Sequence, residues 1–338
     1  MKNLITIILL VTCSVLMYAG DPSRKGTTGA EQLLIPVGAS GIATAGAFVS
    51  NMVGIDAIYY NPAGLSHLKG SEATFSYMSY LADINISYFA VGTNLGEVGS
   101  LGFSLKSFSF GDIPVTTFDS PDGDGSTYSP SLMTIGLTYG KIITDRVSIG
   151  VTGKVINENI MDVSATGFAL DFGVQYRFPS NLSIGAAVKN IGTNMKYSGQ
   201  NLRYKSGLPE SQPGSKDASW EAVTEEFQIP SYFELSTAYA YNIDEENFVQ
   251  VGGVFRNNNQ SEDQMKFGLE YGFMNMFYVR GGYDMLLKNS DQSIRGFSAG
   301  AGVNYSTGGI GMTFDYAYQA IKDFPKPTHT FSLKLALQ

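Results

Sequence analysis

From Ser164 to Tyr176 the chain alternates two kinds of residue. Thr166, Phe168, Leu170, Phe172, Val174 and Tyr176 fall on one face; Ala165, Gly167, Ala169, Asp171, Gly173 and Gln175 fall on the other. Successive side chains of a strand point to opposite faces, so this pattern predicts a strand with one apolar face and one small or polar face. The pattern recurs along nearly the whole chain, in segments of about ten residues joined by turns, which is the signature of a transmembrane β-barrel. The predicted strands are Ser71–Tyr80, Asn85–Asn94, Ser100–Phe110, Ser131–Lys141, Arg146–Asn157, Ser164–Phe178 and Asn181–Asn190. The series continues with Pro230–Tyr241, Phe248–Asn257, Gln264–Phe273, Met276–Leu286, Arg295–Tyr305, Gly309–Gln319 and His329–Leu337, fourteen in all. An even number is expected of a single-chain bacterial barrel with both ends in the periplasm.

The connections support the same reading. Leu95–Gly99, Ile142–Asp145, Pro179–Ser180, Ile243–Asn247, Met274–Asn275 and Ser306–Gly308 are short. They alternate with generally longer ones: Gly111–Pro130, Glu158–Val163, Ile191–Ile229, Asn258–Asp263, Leu287–Ile294 and Ala320–Thr328. Short periplasmic turns and longer outer loops are the barrel rule. Leu81–Ile84 breaks it.

Three regions follow: a signal peptide (1–20), an N-terminal plug or periplasmic cap (21–69) and an outer-membrane β-barrel (70–338). Lys2 followed by apolar Leu4–Met17 reads as a secretory signal, with cleavage near Ala19 or Gly20. Cys13, the sole cysteine, lies within it; a lipidated Cys13 is the alternative. The 21–69 stretch holds a small, helix-compatible run at Gly38–Val49 and a possible helical turn at Asp56–Tyr60, stopped by Pro62. A barrel of this size has a lumen to be filled with water or protein.

Composition adds little. The 39 Gly, 20 Tyr and 21 Phe suit barrel strands and interfacial girdles. A mean hydropathy near zero fits a barrel and a soluble β-protein equally. The net charge of −8, with no basic patch, argues against a nucleic-acid partner.

The polar face carries charges that alternate with apolar neighbours: Lys106, Lys154, Asp171, Glu270, Arg280, Asp284 and Asp315, along with Lys189, Glu234, Arg256, Lys266 and Lys334. A Lys or Arg facing mid-membrane lipid costs roughly 2–4 kcal/mol, so these belong in the lumen. Their mixed signs suggest ion pairing more than a conduction path. Asp119, Asp122 and Asp124 lack the following Glu of a calcium loop and read as a solvated loop. His67 and His329 lie near opposite chain ends without an obvious Cys or acid partner. No catalytic, cofactor or metal residues are assigned, and no enzyme is expected. Trp220, the only tryptophan, lies in the longest outer loop, either packed on the rim or available to anchor a protein partner.

Asn61-Pro62-Ala63-Gly64-Leu65, preceded by Asp56-Ala57 and the Gly38–Phe48 run, resembles the N-terminus of the PorV/PorQ family, outer-membrane barrels related to FadL-type fatty-acid transporters. Leu81–Asn85, Val115–Thr117, Thr144–Arg146 leading into Ser148–Gly150, Ser164–Ala169 and Asn190–Thr193 match as well. The resemblance is dense from Ala30 to Asn201 and generic beyond. It implies a fourteen-stranded barrel in the bacterial outer membrane with an N-terminal segment inside. It also implies a role in type IX secretion, where PorV-like members bind the folded C-terminal sorting domain of cargo and shuttle it to an attachment complex. The expected partners are outer-membrane lipid, secreted cargo and the secretion or attachment machinery. Asn61 and Pro62 would gate the lumen, or simply form a turn in which the Asn side chain bonds local backbone. The alternative function is a FadL-like transporter of small hydrophobic molecules.

Overall fold

Alternation is what the fold is built on. In the computed structural model Phe168, Leu170, Phe172 and Val174 are exposed on the outer face of one strand, while Ala165, Ala169, Asp171 and Gln175 of the same strand are buried on the other. The structure describes residues 26–207, 212, 216–289, 293–322, 324 and 326–337. The signal segment expected at 1–20, and Cys13 with it, lies outside the described residues. No helix among the described residues is long and apolar enough to cross a membrane.

Fourteen strands form a closed antiparallel barrel. They are β1 Ser71–Ser79, β2 Asn85–Asn94, β3 Ser100–Ser109, β4 Ser131–Thr144, β5 Val147–Ile160, β6 Val163–Arg177 and β7 Leu182–Gly192. The second half is β8 Tyr232–Asn242, β9 Phe248–Asn258, β10 Gln264–Phe273, β11 Phe277–Leu286, β12 Arg295–Thr307, β13 Ile310–Ile321 and β14 Thr328–Leu337. Each strand pairs with its sequence neighbours, and β1 closes on β14 from Ser71↔Leu337 to Ser79↔His329. No sheet edge remains in the wall, so every strand finds backbone partners on both sides. The expected strands lie within a few residues of these. The principal difference is the β5–β6 connection, expected to be one of the longer loops and found to be the two residues Met161–Asp162. Met161 takes φ 54°, and the strands run on to the turn, with Ile160 opposite Val163.

The long connections carry structure of their own. Ile113–Pro114 pairs with Thr127–Tyr128, and Arg203–Ser206 pairs with Ala218–Glu221. Residues 26–70 form a plug inside the barrel, not a cap beneath it. The plug starts at the long-loop end, where the Gly29 N–H donates to the Gln228 carbonyl (3.2 Å). It passes through a 3-10 turn (Glu31–Leu34), helix α1 (Ala39–Ala43), a 3-10 turn (Gly54–Asp56), helix α2 (Ala57–Tyr60) and a third 3-10 turn (Pro62–His67). It leaves at the short-turn end into β1.

The plug's fit explains many of the wall glycines. A Cβ on Gly150 would sit 2.2 Å from the Pro62 carbonyl carbon, and one on Gly173 would sit 2.0 Å from Asn61 Oδ1. On the other side of the barrel a Cβ on Gly282 would meet Thr44 at 2.4 Å, and one on Gly300 would meet Ala43 at 2.6 Å. Gly102, Gly185, Gly252 and Gly268 face Ile58, Ser50, Phe48 and Ala47 in the same way. The plug therefore touches bare backbone around the wall. Close packing of this kind leaves no room for an added side chain.

Gly150→Val is expected to destabilise the protein by about 1–3 kcal/mol through overpacking. Gly153→Val, on the outer face with its nearest atom 3.9 Å away, should be tolerated. Thermal unfolding of both variants in detergent checks this; equal effects would disprove the packing account.

Candidate functional site

The lumen holds the plug by hydrogen bonds to its backbone. Asn61, in extended conformation, caps the 3-10 turn by accepting the Ala63 N–H on Oδ1 (3.1 Å), and Pro62 starts that turn where no N–H is needed. The Asn61 amide then donates to the Val49 carbonyl (3.0 Å) within the plug and the Val174 carbonyl (3.1 Å) in the β6 wall. Asn61 thus joins two stretches of plug to the barrel. Ala63 and Leu65 are fully buried, and a Cβ on Gly64 would lie 2.0 Å from the Met52 carbonyl oxygen. Asp56 pairs with Lys334 of β14 at 2.9 Å. Glu72 of β1 accepts the Ile55 N–H at 2.9 Å.

Other wall side chains do the same work, although their types gave no motif to find. Gln175 donates to the Val49 and Met52 carbonyls at 3.1 and 2.9 Å. Ser332 accepts the Ala39 N–H (2.8 Å), and Ser298 donates to the Ala43 carbonyl (3.1 Å). Their signal was their parity: each lies on the small, polar side of its strand. Tyr59 and Tyr60 of α2 donate to carbonyls of residues 33–37 at 3.0–3.1 Å. Burial raises both phenols well above their ordinary pKa, which keeps them donors.

The lumen charges form compact groups. Asp171 pairs with Lys154 (2.6 Å) and Lys189 (3.5 Å). It also accepts the Asn190 N–H (2.8 Å), where the β6–β7 ladder shifts register beside Asn190 at φ 59°. Lys189 donates in turn to the Tyr59 carbonyl of the plug. Glu234 holds Arg256 (2.7 Å) and Lys266 (3.4 Å). Arg280 joins Glu270 and Asp315, the latter at 2.5 Å. Among the described residues Lys106 has no carboxylate partner; it donates to the Gln32 (2.6 Å) and Ile35 carbonyls. Asp284 is buried in the lumen apart from these groups. None of these charges faces lipid, and for all but Asp284 the desolvation cost is offset by contacts inside the barrel.

The long-loop end is a lid. Met195 and Phe227 pair across the base of the longest loop, and with Ile229 they pack on Ala30 and Leu33 of the plug. The Arg203–Ser206 and Ala218–Glu221 hairpin lies beyond this base. Trp220 sits on it opposite Tyr204, 37% and 56% exposed, with the indole N–H donating to the Ser206 carbonyl (3.3 Å). Trp220 is therefore neither buried in the rim nor close to the Asn61 turn. Asp124 in the 111–130 loop accepts from Ser126, which lowers its pKa. Among the described residues no cluster of His, Cys, Asp and Glu could hold a metal.

The family model described as "Type IX secretion system protein PorV" matches residues 19–257. The chain belongs to the PorV family. Its match covers the plug, β1–β8 and most of β9, the region of the Asn61 turn and both longest loops. The fold is similar to solved FadL-like barrels. The monoaromatic hydrocarbon channel CymD aligns with a TM-score of 0.57 at 11% identity, over 90% of this chain and 98% of that one. A FadL homologue of Pseudomonas aeruginosa gives 0.53 at 13%, with the same coverage. The toluene transporter TodX of Pseudomonas putida gives 0.54 at 12%, over 89% and 96%. These likenesses show the barrel fold that this chain shares with them. Comparison with curated proteins finds no match.

Two outcomes test the plug's anchoring. Asp171→Leu strands two buried lysines and is expected to cost about 3–5 kcal/mol, read as a fall in unfolding temperature. His67, in the plug's last turn, is pushed down to about 4 by burial, with Arg177 adding to the effect. The unfolded chain then binds the proton more readily, so stability is fully present above about pH 6.5 and declines as pH falls from there toward 4. His67→Gln should flatten that decline; an unchanged slope between pH 7 and 5 would refute the assignment.

Proposed function

We propose that this protein is a non-enzymatic, protein-binding barrel of the bacterial outer membrane. In this reading its long-loop end faces the exterior and captures secreted cargo for a type IX secretion or surface-attachment pathway. The observation that carries the reading is the filled lumen. Ile42, Ala43, Ala47, Val49, Ile55 and Ile58 lie across the barrel at 2% exposure or less, packed on bare wall backbone. With the bore occupied, recognition falls to the loops. Membership of the PorV family supports the same reading. The hairpin with Trp220 and Tyr204 is the best contact surface, because exposed paired aromatics supply large apolar area at small entropic cost. The 111–130 loop is the second candidate.

A FadL-like transporter is the other reading, supported by the fold shared with hydrocarbon channels. It requires the plug to yield or the wall to open.

A mild-detergent pull-down from native outer membranes, followed by mass spectrometry, separates the two. The expected result is recovery of secreted proteins that share a C-terminal β-rich sorting domain. Replacing Arg203–Glu221 by a short Gly-Ser linker should abolish recovery while the barrel stays heat-modifiable on a gel. Unchanged recovery rules out the hairpin, and a barrel that brings down only lipid or fatty acid favours the transporter.

A further inference from the structure

A cavity of about 380 Å³ opens at the long-loop end between the plug's first 3-10 turn and the wall from β9 to β12. Its lining contains an acid and a base that the rest of the protein leaves uncommitted. Asp284 is 6% exposed, yet among the described residues its carboxylate makes no hydrogen bond or ion pair. Arg256 and Lys266, whose fields reach it, are held by Glu234 instead. Arg295 has no carboxylate partner among the described residues, only the Leu34 carbonyl at 3.3 Å. Gln264 Oε1, also on the lining, is buried without a donor. Asp284 follows Tyr283 on β11, and Arg295 stands two residues before Phe297 on β12, where a register shift against β13 falls between Arg295 and Ser298; both side chains line the cavity. Leu34, Ile35 and Leu286 supply an apolar side.

A buried carboxylate without a partner is costly, and an adjacent unpaired guanidinium poses the complementary demand. A ligand with an ammonium at one end and a carboxylate at the other meets both, with its body against the aliphatic side. The volume lies in the range of small-molecule sites. We propose that this cavity binds a small zwitterion with an apolar side chain, a free amino acid or a short peptide. The ammonium donates to Asp284 and Gln264 Oε1, and the carboxylate accepts from Arg295. The site is separate from the Trp220 hairpin and does not depend on cargo capture.

The test is isothermal titration of the full chain in detergent with L-leucine and with the dipeptide Leu-Leu. The capped analogues leucinamide and N-acetyl-leucine serve as controls. The zwitterion is expected to bind about ten-fold or more tightly than either capped form, the worth of one charge-assisted contact. Asp284→Asn should remove the preference for a free ammonium, and Arg295→Gln the preference for a free carboxylate. Binding of leucine and not the dipeptide identifies a free amino acid as the ligand; binding of the dipeptide identifies a peptide end. Equal binding of capped and uncapped forms, no binding of either zwitterion, or preferences unchanged in the variants overturns the proposal. Heat-modifiable mobility verifies that each variant is folded. Should Asp284→Asn fail that check, Arg295→Gln and the capped analogues on the parent protein still decide.

Discussion

Backbone laid against backbone inside a closed wall is the constraint on which the rest of this structure depends. A fourteen-stranded barrel encloses a space that side chains from the wall alone leave open, and here a polypeptide fills it. The filling works only if the wall withdraws its side chains along the plug's path. Gly150 and Gly173 do so for the Asn61–Pro62 turn, and Gly282 and Gly300 for the first helix. The same residues open the ladder face to the plug without breaking strand pairing, because a glycine still supplies its N–H and carbonyl to its neighbours.

Bare backbone brings a second demand. The plug is made of short helical pieces and irregular links, and such a chain leaves N–H and carbonyl groups unpaired. Buried, each must find a partner. The wall supplies them from the lumen side of its strands: Ser332, Ser298, Gln175, Lys106 and Glu72 each bond a plug backbone group. Asn61 closes the circuit from the plug's side by reaching the Val174 carbonyl. The ion-paired groups around Asp171, Glu234 and Arg280 fill space the plug does not. Only some of them touch it, as Lys189 does through the Tyr59 carbonyl.

The plug also ties the two ends of the barrel together. Its first residues pair with the longest loop at Gln228, and its last turn sits against the short-turn end of β4 and β5 through Gly140, Ser148 and Gly150. A lid over the long-loop end is thus continuous with a segment packed through the whole bore.

Much of the architecture was legible because the barrel writes a period of two into every strand. A residue's parity told which face it took, and the charges of Lys154, Asp171, Glu234 and Arg280 could be placed inward since lipid would penalise them. Strand ends were less legible: the Met161–Asp162 turn follows a polar stretch, Asn157–Asn159, whose composition reads as loop. The Asn-Pro-Ala-Gly-Leu motif marked the right place in the plug without revealing its partners, since Val49 and Val174 are brought to Asn61 only by the closed wall. Gln175, Ser298 and Ser332 carried only their parity, which does not say what they bond, and the uncommitted state of Asp284 and Arg295 depends on which neighbour claimed Arg256. The chain alone determined that strands would close around a lumen and which side chains would enter it, because alternation is local. Which of them would meet, and where glycine was compulsory, was decided by the tertiary structure, because those contacts join different segments of the chain, in several plug–wall hydrogen bonds more than a hundred positions apart.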